Sequence, residues 1–140
     1  MSASTTTSEN PNVRLYSPAS MHKPAGYSHL AQVHSGKTVF IAGQVAFDPS
    51  GNLIGKGDFR AQARQVFQNL KAAVEAAGGG FTDIIKLNVY VVDIAHLPQF
   101  REVRDTFIDV KNPPASTAVQ VVSLVRPELL IEVEAVAVIA

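Results

Sequence analysis

Two carboxylates, Glu132 and Glu134, stand two residues apart in the stretch Leu130 to Ile139. If that stretch is a strand they share one face, which further along carries Val136 and Val138. Such a pair either lies at the solvated end of the strand, or lies near a subunit boundary where one acid accepts a proton or positions a water. The histidines, His22, His29, His34 and His96, include no pair at the spacing of a metal site and read as loop or surface residues. No Gly-x-Ser-x-Gly elbow is present, and no histidine and acid are placed to activate a hydroxyl, so a hydrolase triad is unsupported. Gly78-Gly79-Gly80 follows an apolar-periodic segment instead of leading into one, which makes it a helix C-cap and not a phosphate loop. The glycines Gly51, Gly55 and Gly57 lack the Lys-Ser/Thr of a P-loop and belong to a turn.

The chain that must position these groups has 140 residues, 46% hydrophobic and 17% charged, enough apolar material for one domain with a real core. Twelve basic and twelve acidic residues cancel. That balance supplies no field for a phosphate backbone or an anionic membrane, and argues against nucleic acid as a partner. Cysteine is absent, which removes disulfides and thiolate chemistry and fits a reducing compartment, the cytoplasm by default. No run approaches the ~20 apolar residues of a membrane helix. Residues 1–12 are polar and low in complexity and read as a disordered leader, with a single domain over 13–140.

His29 to Val33 and Lys37 to Phe47, separated by His34-Ser35-Gly36, predict a hairpin feeding a long strand, with a sharp turn at Asp48-Pro49-Ser50-Gly51-Asn52. From Asp58 the period changes. Phe59, Ala63, Val66, Phe67, Leu70, Ala73, Val74 and Ala77 predict a helix capped by Asp58. Ile84 to Val92 predicts a strand, and Pro98 opens a second helix whose stripe is Leu97, Phe100, Val103, Phe107 and Val110. Strands over Ser116 to Leu124 and Leu130 to Ile139 complete an α+β order, ββαβαββ.

Two helices cover one face of a sheet, yet Ile131, Val133, Ala135, Ala137 and Ile139 fall on one side of the last strand while Val136 and Val138 fall on the other. Both sides of Phe40 to Phe47 are also mostly apolar. The uncovered face predicts self-association, the alternative being an N-terminal segment folded over the sheet.

Three stretches resemble the RidA (YjgF) family: Phe40-Ile41-Ala42-Gly43-Gln44, the helix Ala61 to Lys71 running into Gly78, and Pro114 to Val121 leading to Ile131 to Val138. The similarity spans Pro18 to Ile139. It implies a chorismate-mutase-like fold, a mixed sheet with two helices on one face, assembled as a homotrimer around a central barrel with ligand clefts between subunits. It also implies hydrolysis of 2-imino and 2-aminoacrylate species to 2-keto acids and ammonia, with no metal or organic cofactor.

Such chemistry needs a cation on the substrate carboxylate and a held water. The resemblance assigns the cation to the arginine of a Pro-Ala-Arg-Ser segment, and here that position is Ser116, in Pro114-Ala115-Ser116-Thr117. Tyr27 matches the tyrosine of a Gly-Pro-Tyr-Ser segment that reads Ala25-Gly26-Tyr27-Ser28 in this chain, without the proline. Gly43 matches a backbone donor and Glu132 the acid that positions water. Ser116, Ala118 and Gln120 share one strand face as the remaining candidate ligand wall. Relatives tend to carry Asn and Tyr where this chain has Arg101 and Arg104. Arg101 is therefore a candidate substitute cation; otherwise both arginines are solvated helix-face residues. The primary expectation is a small-molecule cleft, for a keto or imino acid or a related metabolite, that has diverged from classical imine deamination. The alternatives are an active deaminase using Arg101, and a non-enzymatic regulator or ribonuclease.

Overall fold

Phe59, Ala63, Val66, Phe67, Leu70 and Val74 recur at three- and four-residue intervals and become the buried stripe of helix α1 (Phe59–Ala76) in the computed structural model, which describes residues 10–140. Asp58 Oδ1 accepts a hydrogen bond from the Ala61 amide at 3.1 Å, capping the first turn. At the far end Gly78 takes φ +97. Its amide donates to the Glu75 carbonyl at 3.0 Å and the Gly79 amide to Val74 at 2.9 Å, a Schellman closure, so the triple glycine ends the helix as its spacing predicts.

The strands are β1 (Val13–Tyr16), β2 (Leu30–Val33), β3 (Lys37–Gln44), β4 (Ile84–Val91), β5 (Ala115–Gln120) and β6 (Ile131–Ile139), with helix α2 (Leu97–Arg104) between β4 and β5. Four of them form a sheet in the order β3-β6-β4-β5, in which β4 and β5 run parallel and the other pairs antiparallel. Both helices pack on one face. There Leu87, Val89, Val91, Ile131, Val133 and Ala135 meet Phe67, Leu70, Phe100 and Val103 in one core. This is the expected α+β architecture with two helices on one face of a mixed sheet.

Four local expectations change. β2 does not pair with β3; it pairs antiparallel with β1, an additional strand, as a separate two-stranded sheet. The chain crosses between sheets at His34 to Gly36, where the His34 amide donates to Asn12 O at 2.7 Å. β3 stops at Gln44, after a bulge against β6 between Ile41 and Gln44. α2 ends at Arg104, where Phe107 and Ile108 amides both turn back to the Arg104 carbonyl; Phe107 still packs on the core, but Val110 is exposed. β5 ends at Gln120, short of Leu124.

The second face of the sheet is partly covered from within the chain. Val13 of β1 packs on Ile85 and Val138, with Leu15, Ala31 and Val136 around them. Of the expected leader, residues 1–9 lie outside the described residues, whereas Asn10 is buried and its Nδ2 donates to the Val138 carbonyl at 2.8 Å. Beyond this cover the face is open: Phe40, paired with Val136 across β3 and β6, is 80% exposed.

One buried group breaks the helix pattern for a reason. Gln62 lies in the α1 core face with its amide donating to the carbonyls of Gly55 and Glu128, at 3.1 and 2.9 Å, and its oxygen accepting from the Leu130 amide at 2.9 Å. It ties α1 to the start of β6. Gln62→Leu would strand three backbone groups at about 1–3 kcal/mol for each that water cannot reach. Denaturant unfolding should show a loss of several kcal/mol, whereas Arg64→Leu on the same helix should change stability little.

Candidate functional site

β5 and α2 enclose an open cleft of about 250 Å³, walled on the strand side by Ser116, Thr117 and Ala118, on the helix side by Leu97, Phe100, Arg101 and Arg104, and closed at one end by Ala25 and Tyr27. The pairing of β5 with β4 sets the wall, because Ser116 and Ala118 lie opposite Leu87 and Val89 and so face the helices. Ser28 brings in the third side. Its amide donates to the Pro114 carbonyl at 3.0 Å and its hydroxyl to the Pro113 carbonyl at 2.6 Å, tying the Tyr27 segment to the entry of β5.

Four of the residues singled out in the sequence, Tyr27, Arg101, Ser116 and Ala118, therefore meet in one cleft. Gln120 does not line it; its Oε1 accepts from the Ile94 amide at 2.9 Å and steadies the entry to α2.

Arg104 is the correction. It is not a solvated face residue but 6% exposed, reaching across Phe100, with its guanidinium carbon 5.9 Å from the ring centroid. Nε donates to Asp105 Oδ1 at 2.9 Å, and neither Nη group has a hydrogen-bond partner among the described residues. The guanidinium presses on Gly26, where a Cβ would come within 2.5 Å of Nη2. Gly26 sits at φ +81, so proline, locked near −65°, could not adopt this conformation.

Gly43 and Glu132 form a second group, elsewhere. A Cβ on Gly43 would lie 2.0 Å from Glu132 Oε2, so the missing side chain lets this carboxylate lie directly against the β3 bulge. Glu132 lies opposite Tyr90 on the sheet face turned away from the helices, so within one chain it cannot reach the Ser116 wall. Tyr90 donates its hydroxyl to Glu134 Oε1, and Lys86 donates to Thr117 Oγ1 at 2.9 Å, on the same face. The bond to Glu134 holds the Tyr90 phenol above its ordinary range, helped by partial burial and the charges of Glu134 and Glu132.

Residues from the turn before β2 add a cluster that the linear spacing of the histidines hides. His22 Nε2 lies 3.3 Å from the Tyr27 hydroxyl, and His29 Nε2 lies 2.8 Å from the His22 carbonyl. A carbonyl only accepts, so His29 carries its proton on Nε2. The two rings meet edge-on at 4.7 Å.

A family model described as Endoribonuclease L-PSP matches residues 18–139, which takes in every part of both groups. The chain belongs to this family, that of RidA and YjgF. It is 41% identical over 116 residues to a RutC family protein of Pyrococcus horikoshii, covering 82% of this chain and 89% of the relative. It is 34% identical over 102 residues to the 2-iminobutanoate/2-iminopropanoate deaminase of Rattus norvegicus, covering 73% of each. Among solved structures, the conserved Rid family protein YyfB of Yersinia pestis superposes with a TM-score of 0.83 at 38% identity, covering 91% of this chain and 99% of that one. RidA of an Antarctic Psychrobacter species reaches 0.69 at 36%, covering 93% and all of that chain.

Within this RidA-family chain the phenol on the open face supplies a direct test. Tyr90's raised value means its neutral form is favoured by folding, a contribution present below the ordinary phenol range and lost as pH rises through the raised value. In an alkaline ultraviolet titration one of the three tyrosines should ionise late, and Glu134→Gln should bring it down towards the others.

Proposed function

We propose that this chain is a RidA-family small-molecule protein whose cleft has diverged from classical 2-imino and enamine acid deamination. The observation that carries the reading is Ser116 on the strand wall: Ser116 and Ala118, the β5 side chains turned towards the helices, offer a hydroxyl and a methyl but no cation. A hydrogen bond to a charged group contributes about 1.5–3 kcal/mol, against about 0.5–1.5 for a neutral one. Serine in place of arginine also forfeits the bidentate fork that fixes the orientation of a small acid. A keto or imino acid, or a related metabolite, is then held less firmly against β5 and turned over more slowly.

The site is completed by a second copy. Glu132, the candidate water-positioning acid, faces away from its own cleft, and the face around it ends in the exposed Phe40. A neighbouring subunit of a homotrimer would bring one chain's Glu132 and Gly43 to another's Tyr27 and Ser116. Zero net charge supports this reading over a ribonuclease, which needs a basic track. An active deaminase using a cation from α2 is the second reading, favoured by Arg101 and Arg104 at the cleft.

Two measurements test the proposal. Light scattering at micromolar concentration should report a multiple of one chain's mass; the mass of a single chain would remove the shared site. In an assay coupled to an amino-acid oxidase, ammonia release from nascent 2-imino acids should be about tenfold or more slower than that of a 2-iminobutanoate/2-iminopropanoate deaminase run in parallel, the ratio expected from ~1.4 kcal/mol of lost binding. Equal rates would replace this reading with that of an active deaminase.

A further inference from the structure

We propose that Arg104 is the resident anion clamp of this cleft, holding a small monocarboxylate from the α2 wall, opposite the strand wall. The inference rests on the reading of the cleft as the small-molecule site and adds to it the class of ligand and its orientation.

A guanidinium that is almost wholly buried is costly unless its donors are met. Arg104 lines the cleft, and Asp105 meets its Nε but leaves Nη1 and Nη2 without a hydrogen-bond partner among the described residues. Their shared edge matches a carboxylate, two parallel N–H···O bonds in one plane. Arg101, three residues earlier on the same helix, also lines the cleft and also has no ion pair among the described residues. Like charges at this spacing repel, and an anion between them turns repulsion into attraction. Two guanidiniums and the Asp105 carboxylate leave one positive charge uncompensated, which suits a monoanion. Leu97, Phe100 and Ala118 line the same cleft and offer apolar contact for a short hydrocarbon tail.

The surroundings fit this one geometry. Gly26 has no side chain where a Cβ would strike Arg104 Nη2, and its φ of +81 holds the loop in a conformation closed to proline. Gly26, Arg101, Arg104 and Ser116 are among the positions at which this chain departs from the motifs it otherwise resembles. Arg101, Arg104 and Ser116 line the cleft, and Gly26 packs against Arg104. A cation absent from the strand is present on the helix, and the residue that would obstruct it is absent too.

Calorimetric titration of the full chain with butanoate and with its neutral isostere butanamide tests the clamp. Butanoate should bind, with butanamide weaker by about tenfold or more, the difference between a charged and a neutral partner. Arg104→Lys and Arg104→Met, checked for native melting temperature, should each lose most of this preference, and Arg101→Ala a smaller part. Should these variants fail to fold, a crystal structure of the unaltered chain with butanoate decides the matter: the carboxylate belongs on the Arg104 Nη edge. A folded Arg104 variant that keeps its preference, butanamide binding as tightly as butanoate, or a carboxylate seated on Ser116 would each overturn the clamp while leaving the cleft a small-molecule site. Neither compound binding at all would overturn both.

Discussion

Strand β6 carries the constraint on which the rest depends. It lies between β3 and β4, so both of its edges are paired, and its odd-numbered residues Ile131 to Ile139 fill the core under the helices. Its even-numbered residues face the other way, and no helix among the described residues lies on that side. The chain answers the problem twice. Val138 is closed over by β1 and by the Asn10 amide, while Glu132 and Glu134 stay at the open end of the same row. The acids are thus held on a rigid strand, half-buried, on the face that one chain leaves unfinished.

The cleft arises from the only parallel pair among the described strands. Parallel neighbours need a crossover, and here α2 is that crossover, so the wall and the helix above it are fixed by one connection. Because α2 is only two turns long, Arg101 and Arg104 sit close to its end, beside the β5 entry and within reach of the loop that Ser28 ties to Pro113 and Pro114. Shortening the helix and leaving Gly26 without a side chain are parts of one arrangement around the Arg104 guanidinium.

Much of this was legible in the linear sequence. Helix α1 and both its caps, the strands β4 and β6, the inward face of β6, and the position of Ser116 follow from period, turn chemistry and a matched motif. Tyr27, Arg101, Ser116 and Ala118 are candidates from the linear sequence, and the fold brings them into one cleft. The errors share a cause. A short turn between β2 and β3 predicts that they pair, whereas pairing of β2 with β1 depends on packing against Ile85 and Val138, far along the chain. Spacing alone puts Val110 in the α2 stripe, and spacing carries no information about the tightened turn at Thr106 to Ile108.

What the sequence by itself determined is therefore local: which segments are helix or strand, which side of a strand or helix is apolar, and that the strand wall carries Ser116 and no cation. What only the tertiary structure decided is the fate of polar groups. Gln62 is a polar residue that nothing in the helix period marks for burial, and it is buried because backbone groups of Gly55, Glu128 and Leu130 meet its amide. Arg104 reads as a solvated charge until Phe100, Gly26 and Asp105 enclose it. The physical reason is that hydrophobic burial follows a short period along the chain, whereas the partner of a buried polar group is set by whatever the fold brings beside it, often from far away in sequence.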